Sequence, residues 1–207
     1  MALLTEDGKK QVAAAVAEVE RATQGEIVTV VVGRSDDYSS QRLVAAALMS
    51  AAVVSGLHSM APVVGSGWLI VAQLVLWIPA WFLTGVAPVL RMLVSVDTRA
   101  AAVHRAALIA FMERGVHRTA ARTGVLLFIS EDEHRVEILA DEGIHARVGV
   151  DGWKHHVDAV IASIHANKAA EGITAVVAAL GKDLAAAVPG TASVNELPND
   201  VVMQKRG

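Results

Sequence analysis

The sequence predicts an α/β fold, a small mixed-sheet α/β sandwich interrupted by a two-helix transmembrane hairpin. Three observations carry this. "EIVTVVVG" (26–33) and "GVLLFIS" (124–130) are short apolar runs, the pattern of strands covered on both faces. "RVEILA" (135–140) alternates at its start, with Val136 and Ile138 on one face and Arg135 and Glu137 on the other, as an edge strand does. From Leu43 to Leu90 there is no Asp, Glu, Lys or Arg, a run more than twice the about 20 apolar residues that a spanning helix needs.

The elements follow in order. Thr5 is placed to cap a first helix whose first turn carries Glu6 and Asp7, where the helix dipole favours acids. Val12, Val16 and Val19 form its apolar stripe, and Gln24-Gly25 marks its end. After the first strand, "RSDDYSSQR" leads to the charge-free run. "GSG" at 65–67 divides that run into helices of about 43–64 and 68–90, with Pro62, Pro79 and Pro88 expected to kink or end them. Trp68 beside the turn is expected to sit at a membrane interface. His58, the only histidine in the run, is expected to stay neutral and bond a backbone or Ser group. A helix from about Asp97 to Arg114 follows, marked by Val103, Ala107, Phe111 and Met112. The strand at 124–130, a hairpin loop "EDEH" and the strand at 135–140 come next. Trp153, Val157, Val160, Ile161 and Ile164 mark one amphipathic helix. Val176, Val177, Leu180 and Leu184 mark another, closed by Pro189. The two buried strands are expected to pair in parallel through a right-handed crossover, and the third to pair antiparallel with the second. The domain layout is therefore 1–42 and 91–188 for one interrupted domain, 43–90 for the hairpin, and 189–207 for a flexible tail.

Composition narrows the function classes. The net charge is −3, so binding of nucleic acid driven by bulk charge is not expected. There is no cysteine, hence no disulfide, thiolate nucleophile or cysteine metal site. Charges at Glu6, Asp7, Lys9 and Lys10 interrupt the N-terminus before a signal-peptide core forms. The turn between the apolar helices is uncharged. Arg34 and Arg42 lie before them and Arg91, Arg99 and Arg105 after, so the positive-inside rule puts both termini in the cytoplasm.

"TGVLLFIS" and "RVEILADEGI", in this order and followed by an amphipathic helix, resemble the second conserved strand and the following strand and glycine turn of the TPM domain family. The resemblance covers about 5–33 and 97–188. It looks like a bacterial membrane-anchored branch with an inserted transmembrane hairpin. It implies the small α/β sandwich, and it implies acid phosphatase activity and divalent-cation binding through acidic residues near the sheet. The family's Asp-Asn-Gly stands here as Arg122-Thr123-Gly124, and its Gly-aromatic-Gly-Leu-Glu turn as Asp141-Glu142-Gly143-Ile144-His145. Gly124, the second glycine of the turn (Gly143) and its apolar residue (Ile144) remain. Arg122 and His145 replace carboxylates.

"ERGVHRTAART" (113–123) gathers His117, Arg118 and Arg122 just before the second strand. The structural reading is a solvated basic helix end. The functional one is an anion or partner site, because guanidinium groups hold phosphate oxygens in pairs. Asp141, Glu142 and Asp151 are candidate ligands for a hard cation, against the reading that Asp141 or Glu142 simply pairs with Arg122 or Arg118 across the hairpin. Zinc is disfavoured, since no His-Glu-x-x-His occurs and the adjacent His155 and His156 are not expected to share a helical face. No nucleophile elbow, phosphate-binding loop or dinucleotide fingerprint is present, so no catalytic residue is assigned and no cofactor is expected beyond a divalent cation. The favoured reading is a membrane-anchored binding or assembly-support module on the cytoplasmic side, with the lipid bilayer and a membrane-associated protein as partners and no nucleic acid. The alternative is an acid phosphatase-like phosphohydrolase with a rearranged site around His117, Arg118, Arg122, Asp141 and Glu142.

Overall fold

A computed structural model describes residues 3–60, 65–148, 153–190 and 196–204. The chain divides into two compact units, one of residues 1–35 with 101–207 and one of residues 36–100.

The first unit holds the sheet. Helix α1 (Glu6–Glu20) leads to β1 (Glu26–Val32), and Thr5 caps α1 by accepting the N–H of Gly8 at 3.1 Å. In the second unit α2 (Ser39–Met60) and α3 (Ser66–Thr84) precede a short α4 (Ala87–Leu93). Helix α5 (Val96–Glu113) returns to the first unit. There a 3-10 turn (Val116–Arg118), β2 (Gly124–Ser130), β3 (Arg135–Ala140), α6 (Glu142–Val148), α7 (Lys154–His165), α8 (Ala169–Ala187) and β4 (Val202–Gln204) follow.

The sheet order is β3-β2-β1-β4. β1 and β2 pair in parallel with Ile27 opposite Val125, and β2 and β3 pair antiparallel with Leu127 opposite Ile138, as the sequence predicts. Every residue of β1 and β2 is buried, because apolar layers cover both faces. Ile27 and Val31 of β1 and Val125, Leu127 and Ile129 of β2 meet Val12 and Val16 of α1, Val160 of α7 and Leu180 and Leu184 of α8. The alternate residues Val28, Val30, Leu126 and Phe128 meet Val103, Ala107 and Ala110 of α5. The period of two along each strand thus sends one apolar set to each layer.

Two expectations are corrected. The second apolar helix does not run from 68 to 90. It stops at Thr84, and α4 starts afresh two residues beyond Gly85, with Pro88 in its first turn, where a missing N–H costs nothing. The tail is not wholly flexible either: Val202–Gln204 adds a fourth strand beside Val30–Val32 of β1, and Leu197 packs with the α5 layer. The last residues of the expected first apolar helix, 61–64, lie outside the described residues.

In the second unit, α2 and α3 are long and apolar enough to cross a membrane. Only 17% and 11% of their most apolar windows are buried, whereas the core helix of a soluble protein hides most of its surface. Leu48, Leu57, Leu74 and Phe82 are exposed. Polar contacts join the two helices. Gln73 donates to the Ser50 hydroxyl at 2.7 Å, and the Arg42 guanidinium lies 4.3 Å from the Trp81 ring centroid, close enough for a cation–π contact.

Candidate functional site

The antiparallel β2–β3 pair sets the geometry of the basic loop and the acidic turn. Asp141 N–H bonds to Gly124 C=O at 2.9 Å, which places the residue after β3 beside the loop before β2. Arg122 Nη2 stands 3.1 Å from an Asp141 carboxylate oxygen and 3.8 Å from Glu142. Asp141 is buried and also accepts the N–H of Glu142 at 2.8 Å. Its other oxygen is buried with no protein partner. Arg122 adopts a left-handed backbone (φ +56°), uncommon outside glycine and asparagine. Three bonds hold it there: its N–H to Thr119 O at 3.0 Å, its Nη1 to His117 O at 3.0 Å, and its own carbonyl, which accepts the N–H of Gly143 at 3.1 Å. Arg118 Nε approaches His117 Nε2 at 3.4 Å, and His117 Nδ1 is buried without a partner.

The structure therefore brings Arg122 against Asp141 and Glu142, as the hairpin geometry predicts, with the His117 carbonyl bonded to Arg122 and Arg118 beside the His117 ring. Asp151 lies outside the described residues. The two retained glycines have a packing cause. A Cβ on Gly124 would lie 2.2 Å from Val116 O, and one on Gly143 2.6 Å from Arg122 O. Both contacts are with backbone, so neither position has room for a side chain.

Two carboxylate groupings escaped the sequence reading. At the carboxyl ends of the parallel strands, where ligands of open α/β sheets usually sit, the "EDEH" loop is not merely a turn. Glu131 accepts the N–H of Leu3 at 2.9 Å, and buried Asp132 pairs with Arg34 at 2.8 Å. Buried Glu133 accepts the Ser35 N–H at 3.1 Å and the Ser130 hydroxyl. These acids stitch the loop to the chain that leaves β1. At the amino ends of the same strands, Glu20 and Glu26 are buried. Glu20 accepts Ile27 N–H at 3.0 Å and Asn199 Nδ2 at 2.6 Å, while Glu26 accepts the N–H groups of Glu196 and Leu197. Burial pushes the Glu20 carboxyl up to about 7, with neighbouring Glu26 adding to the shift. Burial also raises Glu26. Together they fasten the C-terminal segment to the sheet. Glutamates in "VERATQGEI" read as ordinary surface acids, and only the tail's return reveals them.

A groove of about 710 Å³ runs along β3. It is lined by Val136–Ala140, by Glu142 and His145 of α6, by Trp153, Lys154 and Val157, and by His104. His104 Nδ1 lies 2.9 Å from Glu137 across one side of it. Because 141 and 124 form a hydrogen-bonded pair, alternation along an antiparallel ladder turns the N–H and C=O groups of Leu139 and Glu137 inward. Those of Val136, Ile138 and Ala140 then point outward. Among the described residues no strand pairs with this outer edge.

A mixed sheet with helices on both faces and a hairpin ending in a glycine turn makes this an α/β sandwich protein. Residues 90–183 match the model of the TPM domain family. The NMR structure of BA42 protein from the psychrophilic bacterium Bizionia argentinensis is similar in fold, with a TM-score of 0.61 and 17% identity. The likeness covers 98% of this chain and 96% of that one. No curated protein matches the chain.

Proposed function

We propose that the chain is a membrane-anchored TPM-domain binding module that takes an extended segment of a partner protein along the outer edge of β3. The sheet unit lies on the cytoplasmic side of a bacterial inner membrane, held by α2 and α3. The observation that carries the reading is the edge itself: outward N–H and C=O groups at Val136, Ile138 and Ala140 beside an apolar groove. Main-chain bonds to such an edge supply affinity, and pockets for alternate side chains supply selectivity. The arginine flanks and the two exposed apolar helices support the anchoring.

The phosphohydrolase reading is weaker because Arg122, the nearest cation to the acidic turn, is already engaged by Asp141. A guanidinium that holds a ground-state phosphate does not by itself speed cleavage. Photo-crosslinking in intact cells tests the proposal. A photoreactive residue at the exposed positions Glu142 or His145 is expected to give a discrete protein adduct, and one at exposed Lys10 none. Equal adducts from all three positions, or none from the groove, would overturn it. Turnover of p-nitrophenyl phosphate by the purified chain, abolished by Arg118→Ala or Asp141→Ala, would favour the hydrolase.

A further inference from the structure

We propose that His155, His156 and Asp183 form a binding site for a first-row divalent transition metal such as Zn²⁺, separate from the acidic turn at Asp141. His155 and His156 occupy the first turn of α7, and Asp183 lies in the last part of α8, which packs beside it. Adjacent helical residues point about 100° apart, which argues against a shared site from sequence. The rings nevertheless converge, with centroids 3.7 Å apart. The departure from expectation comes from Asp183. Its carboxylate lies 2.6 Å from His156 Nε2 and draws the buried histidine toward α8, while exposed His155 folds over it.

One ligand atom from each residue lies within 4.8 Å of the other two. Metal–nitrogen and metal–oxygen bonds of about 2.0–2.2 Å in a tetrahedron need ligand atoms roughly 3.3 Å apart. Side-chain rotations of about an ångström close that difference. Two imidazoles and one carboxylate suit zinc or its neighbours over magnesium or calcium, which prefer all-oxygen shells. Three protein ligands leave a fourth position for water or a partner's side chain. His156 supplies the fixed ligand: it shares the core-facing side of α7 with Val160 and packs near Trp153, with ring centroids 6.2 Å apart. His155 and the half-exposed Asp183 form the mouth through which an ion enters.

The test uses the full chain in detergent, purified without a histidine tag. Zn²⁺ affinity is read by competition with a chromogenic chelator, and Co²⁺ by its ligand-field spectrum. One equivalent is expected to bind, with a tetrahedral Co²⁺ spectrum and little competition from Mg²⁺ or Ca²⁺. His155→Ala and Asp183→Asn, both at the solvent side and chosen to spare the core, should each weaken Zn²⁺ binding at least tenfold. His117→Ala and Asp141→Asn should leave it unchanged. Absence of stoichiometric binding, or binding that survives both His155→Ala and Asp183→Asn, would overturn the assignment.

Discussion

Arg122 lies 3.1 Å from Asp141, a half-exposed guanidinium against a buried carboxylate. The antiparallel hairpin causes this meeting, and it converts the acidic end of β3 from an open ligand set into a pair. Arg122→Asn keeps a residue that tolerates the left-handed backbone and removes the cation. It should destabilise the domain by about 1–3 kcal/mol, because a buried carboxylate loses a partner. Asp141→Asn in the same chain should recover part of that loss. Denaturation of the detergent-solubilised protein measures both, and an Arg122→Asn chain as stable as the parent would contradict the pairing's role.

Gly124 and Gly143 mark places where backbone approaches backbone. Gly124→Ala and Gly143→Ala should each cost about 1–3 kcal/mol or more, since overpacking here must move main chain. Gly56→Ala is the control: a Cβ there meets nothing within 4 Å. Equal melting temperatures for the three variants would show that the close approaches carry no weight.

Glu20 gives the sheet unit a pH dependence. Its folded-state pKa of about 7 lies above the ordinary 4.5, so the folded protein binds the proton more tightly than the unfolded chain. Stability therefore falls as pH rises from about 4.5 to about 7 and is flat beyond, as far as this group is concerned. Glu20→Gln should flatten that part of the profile and raise the melting temperature at pH 8, because an amide oxygen still accepts Ile27 N–H without a buried charge. A parent and variant with parallel profiles would refute the assignment. The same change should protect residues 196–204 from proteolysis at high pH, since Asn199 and Glu26 tie that segment to Glu20's neighbourhood.

The sequence made the sheet legible because burial writes itself into composition. Fully covered β1 and β2 are continuous apolar runs, and β3 alternates only at its start, where Val136 and Ile138 join one layer before Leu139 turns to the α5 layer. The Arg122–Asp141 pair was legible from strand direction alone. The docking of β4 was not, since three residues of strand leave no period to detect and their partner is more than 150 residues away. Nor was the His155–His156–Asp183 grouping, because it depends on how α8 lies beside α7, which no spacing within either helix encodes. The early stop of α3 could have been found by weighing Gly85 and Pro88 above the unbroken absence of charge.

The anchoring has a direct reporter, because the chain lacks cysteine. Gly67→Cys, in the first turn of α3, should react with a membrane-impermeant thiol reagent in intact cells. Lys10→Cys should react only after lysis. The reverse labelling would place the sheet unit on the outer side.

The edge of β3 as the binding surface is tested most directly by removing one outward hydrogen-bond donor. Ile138→Pro eliminates an N–H that faces away from β2, a substitution an edge strand tolerates. Ile138→Ala loses the same side chain but keeps the donor. With a photoreactive residue at Glu142, the Ala variant is expected to retain most of the partner adduct. The Pro variant should lose it while melting within a few degrees of the Ala variant. An adduct of undiminished yield in the Pro variant would contradict strand addition at β3 and move the binding surface elsewhere on the domain.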